Sequence, residues 1–363
     1  MTRWKDFTSA DWQRIELDWT SWWDGRLERP LVAIETIPSN SGITLADLYP
    51  QLGKYGLSTP VDSVLDQVEA NLDQVDYLLD SFPRWWPNFG PGSLAAIMGS
   101  ELEYVNDTTW FHPLPVDDLY FIQPNFNEAS PWWRRHQDFV ERAVARWQDT
   151  LVIGSADIGG NLDVLASLRG SNRLLTDLVD HPEHVQQLTN LITKAWVDMY
   201  KTIDGLLSKT QKGRSYWTPF WAPGSMALLQ CDFSSMISPK MFNRFVLPDI
   251  QACCEVIEFP FYHLDGRAAT RHLDTLLSIE KLRGIQWVPG AGEPPAEDWF
   301  PLLSKIRESG KLVQIFTSAQ GALKICRKLG GQGFAFNIGD GYLLTFEEGI
   351  SCVEALHSEG FLN

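Results

Sequence analysis

Phe259-Pro260-Phe261-Tyr262-His263-Leu264-Asp265-Gly266 is the stretch on which the fold reading turns. A short apolar run bounded by Pro260 and Gly266 has the make-up of a buried strand. Its polar pair falls where that strand ends. His263 and Asp265 are two residues apart, so on a strand they share a face. In parallel α/β folds, ligands and reacting side chains collect at the carboxyl ends of strands. An imidazole and a carboxylate converging there can bind a metal, move a proton or hold a polar substrate. The same residues admit a plainer role, with His263 a hydrogen-bonded core histidine and Asp265 a cap for the turn at Gly266.

Downstream, Gly284–Val288, Leu312–Phe316 and Phe334–Asn337 read as strands. Between them, helices are expected near Thr270–Leu277, over Phe300–Glu308, from the cap Ser318 to Gly330, and over Thr345–His357. Strands alternating with helices over short connections are the signature of parallel β/α units. Closed as a barrel, these strand ends place His263, Trp287, Thr317 and Asn337 around one mouth. Upstream, Ser238 and Pro239 open a helix as N-cap and first residue, and Pro248 bends or ends it. Pro182–Leu207 carries Val185, Leu188, Ile192, Trp196, Met199, Ile203 and Leu206 at the spacing of one buried helical face, with Asp180 as its N-cap. A helix near Pro131–Gln148 precedes a strand at Leu151–Gly154, and another helix is expected near Val61–Leu79. Residues 1–30 form a tryptophan-rich helical extension leading to a strand at Leu31–Ile34. The expectation is one α/β domain over residues 1–363, a single (β/α)8 TIM barrel with extra N-terminal helices.

The 363 residues are ample for a large core, and 44% of them are hydrophobic. A net charge of −16 argues against nucleic acid or an anionic membrane as a partner, because both need a basic face. No run approaches the roughly 20 apolar residues of a membrane span. The N-terminus lacks the apolar core of a signal peptide. Cys231, Cys253, Cys254, Cys326 and Cys352 are odd in number and scattered, which fits a reduced, cytoplasmic protein rather than a disulfide framework. The glycines from Gly154 to Gly160 lack the dinucleotide spacing, and there is no P-loop, HExxH or GxSxG motif.

The sixteen tryptophans include the pairs Trp22-Trp23, Trp85-Trp86 and Trp132-Trp133. They serve either to pack helices or to line a pocket for a flat macrocycle or a sugar. Tyr216, Trp217, Trp221 and Trp287 are the expected substrate-binding aromatics, with Asn337 beside them. Asp232 is either a carboxylate at the mouth or a helix-entry cap.

Several segments resemble the uroporphyrinogen decarboxylase superfamily, which holds the decarboxylase and corrinoid-linked methyltransferases. Leu165-Ala166-Ser167-Leu168-Arg169-Gly170 followed by Asp180-His181-Pro182-Glu183 is similar to its central "RG…ddPe" segment. Residues 232–242, Asp232 to Phe242, are similar to its "D…S…LSPelF" segment, and Phe245-Val246-Leu247-Pro248 continues it. His263-Leu264-Asp265-Gly266 falls where the family has "HxCG" or a variant. Met98-Gly99-Ser100-Glu101-Leu102-Glu103-Tyr104 is similar to its "lGaeveY" strand. The likeness spans roughly residues 95–357. It implies a barrel with its site at the C-terminal mouth.

The chain also departs from that pattern. Arg29 to Ile37 lacks the family decarboxylases' arginine-rich "MRQAGR" stretch, which binds substrate carboxylates. The family's thiol-activating methyltransferases hold zinc by His-x-Cys and a later cysteine. Here Asp265 takes the first thiol's place, and Phe334-Ala335-Phe336-Asn337 has no second. The resemblance therefore implies an enzyme, foremost of the corrinoid-linked methyltransferase type. His263, Asp265 and Asp232 are its catalytic candidates, with zinc on His263 and Asp265. The expected partners are a small-molecule substrate, a corrinoid carried by a separate protein, and a second copy of the chain in a homodimer. A divergent decarboxylase using Asp232, Asp265 and His263, a non-catalytic tetrapyrrole or corrinoid binder, and a sugar-active barrel remain as alternatives.

Overall fold

The computed structural model describes residues 2–209, 212–339 and 342–362. Its centre is a row of parallel strands: β1 (Leu31–Ile37), β2 (Met226–Gln230), β3 (Phe259–Asp265), β4 (Gly284–Val288), β5 (Leu312–Thr317) and β6 (Phe334–Ile338). Their order in the sheet is β1-β6-β5-β4-β3-β2. Chain order thus runs steadily across the sheet from β2 to β6, and β6 pairs with β1. Asp76–Leu79 adds antiparallel to the free edge of β1, with Ala33 opposite Leu79. Arg84–Trp85 and Val152–Ile153 form a separate parallel pair, and Gly154 bridges to Ser215. The result is a mixed α/β fold around a central, mainly parallel sheet.

The strand-helix alternation of the second half stands as expected. Pro239–Phe245 and Leu247–Cys254 follow β2, Leu273–Leu277 follows β3, Phe300–Glu308 follows β4, and Ala319–Leu329 follows β5. Ser238 and Ser318 each accept a backbone N–H from the first turn of their helix.

Two element expectations are corrected. The helix expected to reach Leu79 stops at Leu72, and Asp76–Leu79 is a strand instead. Val75, Tyr77 and Leu78 fit either period, and the open edge of β1 decides between them. Asp180 is no N-cap; it ends a separate helix, Ser171–Asp180, and His181 holds the junction before Pro182.

Register sorts the inner face of the sheet into rows. Phe261 lies opposite Gly284, which lies opposite Leu312. A Cβ on Gly284 would fall 2.2 Å from the Phe261 ring, so only glycine lets that ring cross the strand. The next row is polar: Gln230, His263, Gln286 and Gln314, with Ala335 completing it. Beyond it lie Asp265, Phe316 and Asn337.

Under the aromatic row sits helix Ser9–Trp23. It is opened by a capping box in which Thr8 and Asp11 exchange hydrogen bonds. The Trp22 and Trp23 rings lie 6.0 and 5.7 Å from Phe261, and both contact Phe220. The first helix is therefore part of the core. Most tryptophans take the packing role.

Candidate metal centre and adjoining cavity

β3 ends in His263 and Asp265, and Asp232 opens the 3-10 turn Asp232–Met236 just after β2. One ligand atom from each of these three side chains lies within 4.8 Å of the others. Asp163, on helix Asn161–Arg169, sets the turn by accepting the backbone N–H groups of Asp232 at 3.1 Å and Phe233 at 2.8 Å. That helix can approach because residue 160 is glycine. A Cβ there would stand 2.1 Å from the Gln230 carbonyl oxygen.

The tautomer of His263 follows from the polar row. Gln286 Nε2 donates to Thr218 Oγ1 at 3.0 Å and to Gln314 Oε1. Its Oε1 is thereby left as an acceptor and takes the Nδ1–H of His263. Gln314 Nε2 in turn donates to Asn337 Oδ1. His263 Nε2 keeps its lone pair, as a metal ligand or proton acceptor requires. Loss of solvent pushes the His263 imidazole below its usual range, against the Gln286 bond and the charges of Asp265 and Asp163. Burial thus favours the neutral form of the ring.

The carboxylates nearby are crowded and lack cations. Asp232 presents surface to the cleft, yet desolvation and then the charge of Asp265 push its carboxyl up to about 6. Desolvation and the charge of Asp232 push Asp163 up to about 7, and the same two causes raise Asp157 to about 7. Among the described residues, no lysine or arginine pairs with any of these acids or with Asp265. Arg267, just past β3, reaches instead toward Glu293 at 3.9 Å. Three ligand atoms in mutual reach, amid uncompensated negative charge, are the setting in which a divalent cation is bound. One nitrogen and two oxygens suit a borderline or hard ion, and zinc, manganese or iron(II) fits that donor set.

Trp217 joins this cluster to a cavity. Its ring meets His263 edge-on, centroids 5.3 Å apart. It also lines a cavity of about 560 Å³, together with Thr218, Asn337, Trp86, Glu35 and Arg84. Of the aromatics expected at the mouth, Trp217 lines this cavity and Asn337 joins it. Tyr216, Trp221 and Trp287 are buried and do not line it. Trp287 is one residue from Gln286, so it points to the opposite face and packs on Trp299 at 5.0 Å. Trp221 donates its Nε1–H to the Lys212 carbonyl. Arg169 of the "RG" segment pairs with Asp177 at 2.7 Å, away from the cluster.

The sequence reading did not single out Gln286, Gln314, Asp163, Asp157 or the Glu35–Arg84 pair. A signal existed for the glutamines: each interrupts an otherwise apolar strand, at the alternation position of His263 in its neighbour. Asp163 gave none, since acids near helix starts are common.

No protein-family model matches the chain, and no curated protein sequence matches it. Among solved structures, it is similar to a methyltransferase from Methanosarcina mazei, with a TM-score of 0.61 and 12% identity over 95% of this chain and 98% of that one. It also aligns with a B12-independent methionine synthase from Shewanella sp. W3-18-1, with a TM-score of 0.44 and 14% identity over 92% and 96% of the two chains. The first likeness establishes a shared fold over nearly the full length. The second is too loose to bear on fold or function. Among the described residues, no helix is long and apolar enough to cross a membrane.

Proposed function

We propose that the chain is a methyltransferase-type enzyme of the uroporphyrinogen decarboxylase superfamily. In this reading its parallel strands close as a (β/α)8 barrel, with a divalent metal at the mouth. The observation that carries the reading is the cluster of Asp232, His263 and Asp265 within 4.8 Å, beside a cavity of substrate size. The shared fold with a methyltransferase and the order of the sequence segments support it.

His263 Nε2, Asp232 and Asp265 would hold the ion. When bound, such an ion supplies Lewis-acid activation of an oxygen, nitrogen or sulfur atom of the methyl donor or acceptor. With two carboxylates and no thiolate, the site favours a harder acceptor atom than the zinc-thiolate sites of its implied relatives. The chain's own residues do the rest. Gln286 holds the imidazole in the Nδ1–H form. Asp163 fixes the turn that presents Asp232. The Trp217 ring packs edge-on against the His263 imidazole. A corrinoid on a partner protein remains part of the proposal as the methyl carrier.

Metal analysis of protein dialysed against zinc, manganese or iron(II), followed by demethylation of methylcobalamin across alcohols, amines and thiols, tests this. One equivalent of metal, lost in Asp232→Asn or Asp265→Asn, and a metal-dependent loss of the cobalt-methyl absorbance are expected. No metal and no demethylation would remove the reading.

A further inference from the structure

The cavity beside His263 carries buried hydrogen-bond donors without close acceptors. Most of its side-chain acceptors are engaged: Gln51 Oε1 by the Thr109 hydroxyl, Asn88 Oδ1 by the Gly90 N–H, Asn337 Oδ1 by Gln314, and Asp107 Oδ1 by the Tyr104 hydroxyl at 3.3 Å. The exception is Glu35, whose buried carboxyl faces Arg84 and Tyr49 and is pushed above its usual range by desolvation. Several donors on the same walls are not engaged. Tyr49 Oη, Trp217 Nε1 and Arg84 Nε are buried without a hydrogen-bond partner. Arg84 is the sharpest case. Its side chain is only 6% exposed, and Nη1 makes one long bond, 3.4 Å, to the Trp217 carbonyl oxygen. Nε stands 3.5 Å from Glu35 Oε1, close enough for an ion pair but without a hydrogen bond. Its guanidinium lies over the Tyr49 ring at 4.8 Å, so the aromatic wall holds it in place. A buried guanidinium with unused donors is costly unless something accepts from it.

We propose that this cavity binds a small apolar carboxylic acid, with its carboxylate on the Arg84 guanidinium and its body against Trp86, Trp217 and Phe316. The donor set selects an acceptor-rich headgroup, and the planar guanidinium fits a carboxylate's two oxygens. The remaining wall selects an apolar body, and about 560 Å³ is the room a small organic ligand needs. The ligand would lie between Arg84 and His263, because Trp217 touches both residues. That the bound acid is the substrate rests on the metal-centre reading above. That the cavity selects a carboxylate does not.

The test uses the full chain, stripped of metal, and follows tryptophan fluorescence. The probes are phenylacetate and hexanoate, with phenylacetamide and hexanamide as neutral counterparts. Each acid is expected to bind at least tenfold tighter than its amide. Arg84→Gln should remove that preference, and Arg84→Lys should restore part of it. If Arg84→Gln does not fold, Tyr49→Phe and Trp217→Phe, which each delete one free donor, should weaken the acids several-fold. Equal binding of acids and amides, or no binding of any probe, would overturn the proposal. So would an acid preference that survives these substitutions. Because no metal is present, a failed metal-centre reading leaves this result standing, and the reverse also holds.

Discussion

The inner face of the parallel sheet carries two chemistries, divided by a single row of amides. Below the row, Phe261, Phe220, Trp22 and Trp23 fill the space with rings 4.7 to 6.0 Å apart. Above it stand acids without cations and a cavity in which Trp217 Nε1 and Arg84 Nε lack a hydrogen-bond partner. The lower end is apolar, close-packed and free of charge, with only the buried Trp22 Nε1–H left without an acceptor among these rings. The upper end departs from this, and costly features of that kind persist where a ligand completes the site. The row of Gln230, His263, Gln286 and Gln314 belongs to both ends. Its glutamines are buried like a core, and His263, Gln286 and Gln314 are hydrogen-bonded like a site.

The largest expected effect breaks the lower end alone. Trp22→Ala removes a fully buried ring and should cost about 3–5 kcal/mol of stability, read by urea denaturation. Metal affinity of the folded fraction should not change. If it falls in step with stability, the two ends are one cooperative unit and the division by rows is wrong.

The next effect belongs to the upper end. Asp265→Asn keeps the shape of the side chain and loses its charge, so binding of zinc or manganese should weaken by about 100-fold or more. The urea midpoint should move little. Asp265→Cys supplies a soft ligand and should shift selectivity from manganese toward zinc. A variant that binds metal as the parent does would make Asp265 a turn residue, leaving His263 and Asp232 to carry the reading.

Between the ends, Gln286→Leu removes the acceptor that fixes the His263 tautomer. Metal affinity should fall about 10–100-fold, the usual cost of losing such a partner. Gln286→Glu keeps an acceptor and should restore much of it. Nitrogen NMR of His263 distinguishes this from a packing defect, because only the loss of the acceptor lets the Nε2–H form appear.

How much of this was legible beforehand follows from the same rows. Strand periodicity and caps are local, so β3 to β6 and the helices at Ser238 and Ser318 could be read from the chain alone. The pairing of His263 with Asp265 was legible for the same reason. Asp232 could be nominated, but only the β2–β3 register brings it to His263. Trp287 sits at a strand end but one residue out of phase with Gln286, so parity places it on the outer face against Trp299. Arg84 and Glu35 lie 49 positions apart on different strands, and no local pattern joins them. The strand at Asp76–Leu79 was lost to a helix because its apolar spacing fits both periods, and a tertiary edge decides.

The smallest effect asks whether uncompensated acids are tolerated only where a ligand waits. Asp249 lies on helix Leu247–Cys254, outside the metal cluster and the cavity, and it hydrogen-bonds the Thr193 hydroxyl. Burial, opposed by that bond, pushes its carboxyl up from 3.8 to about 7. The folded chain therefore keeps this proton over a range in which the unfolded chain releases it. Stability falls as pH rises through that window, is unaffected below about pH 4, and levels off above the folded value. Asparagine has no proton to lose and still offers an oxygen to Thr193. Asp249→Asn should thus be neutral near pH 4 and stabilising at pH 8. Urea denaturation at the two pH values reads this directly. A gain that is equal at both values would point to packing rather than charge. A loss at pH 8 would mean that Asp249 is ionised and held by a partner. Asp249 would then belong with the functional acids of the upper end, and the comparison would need a third region.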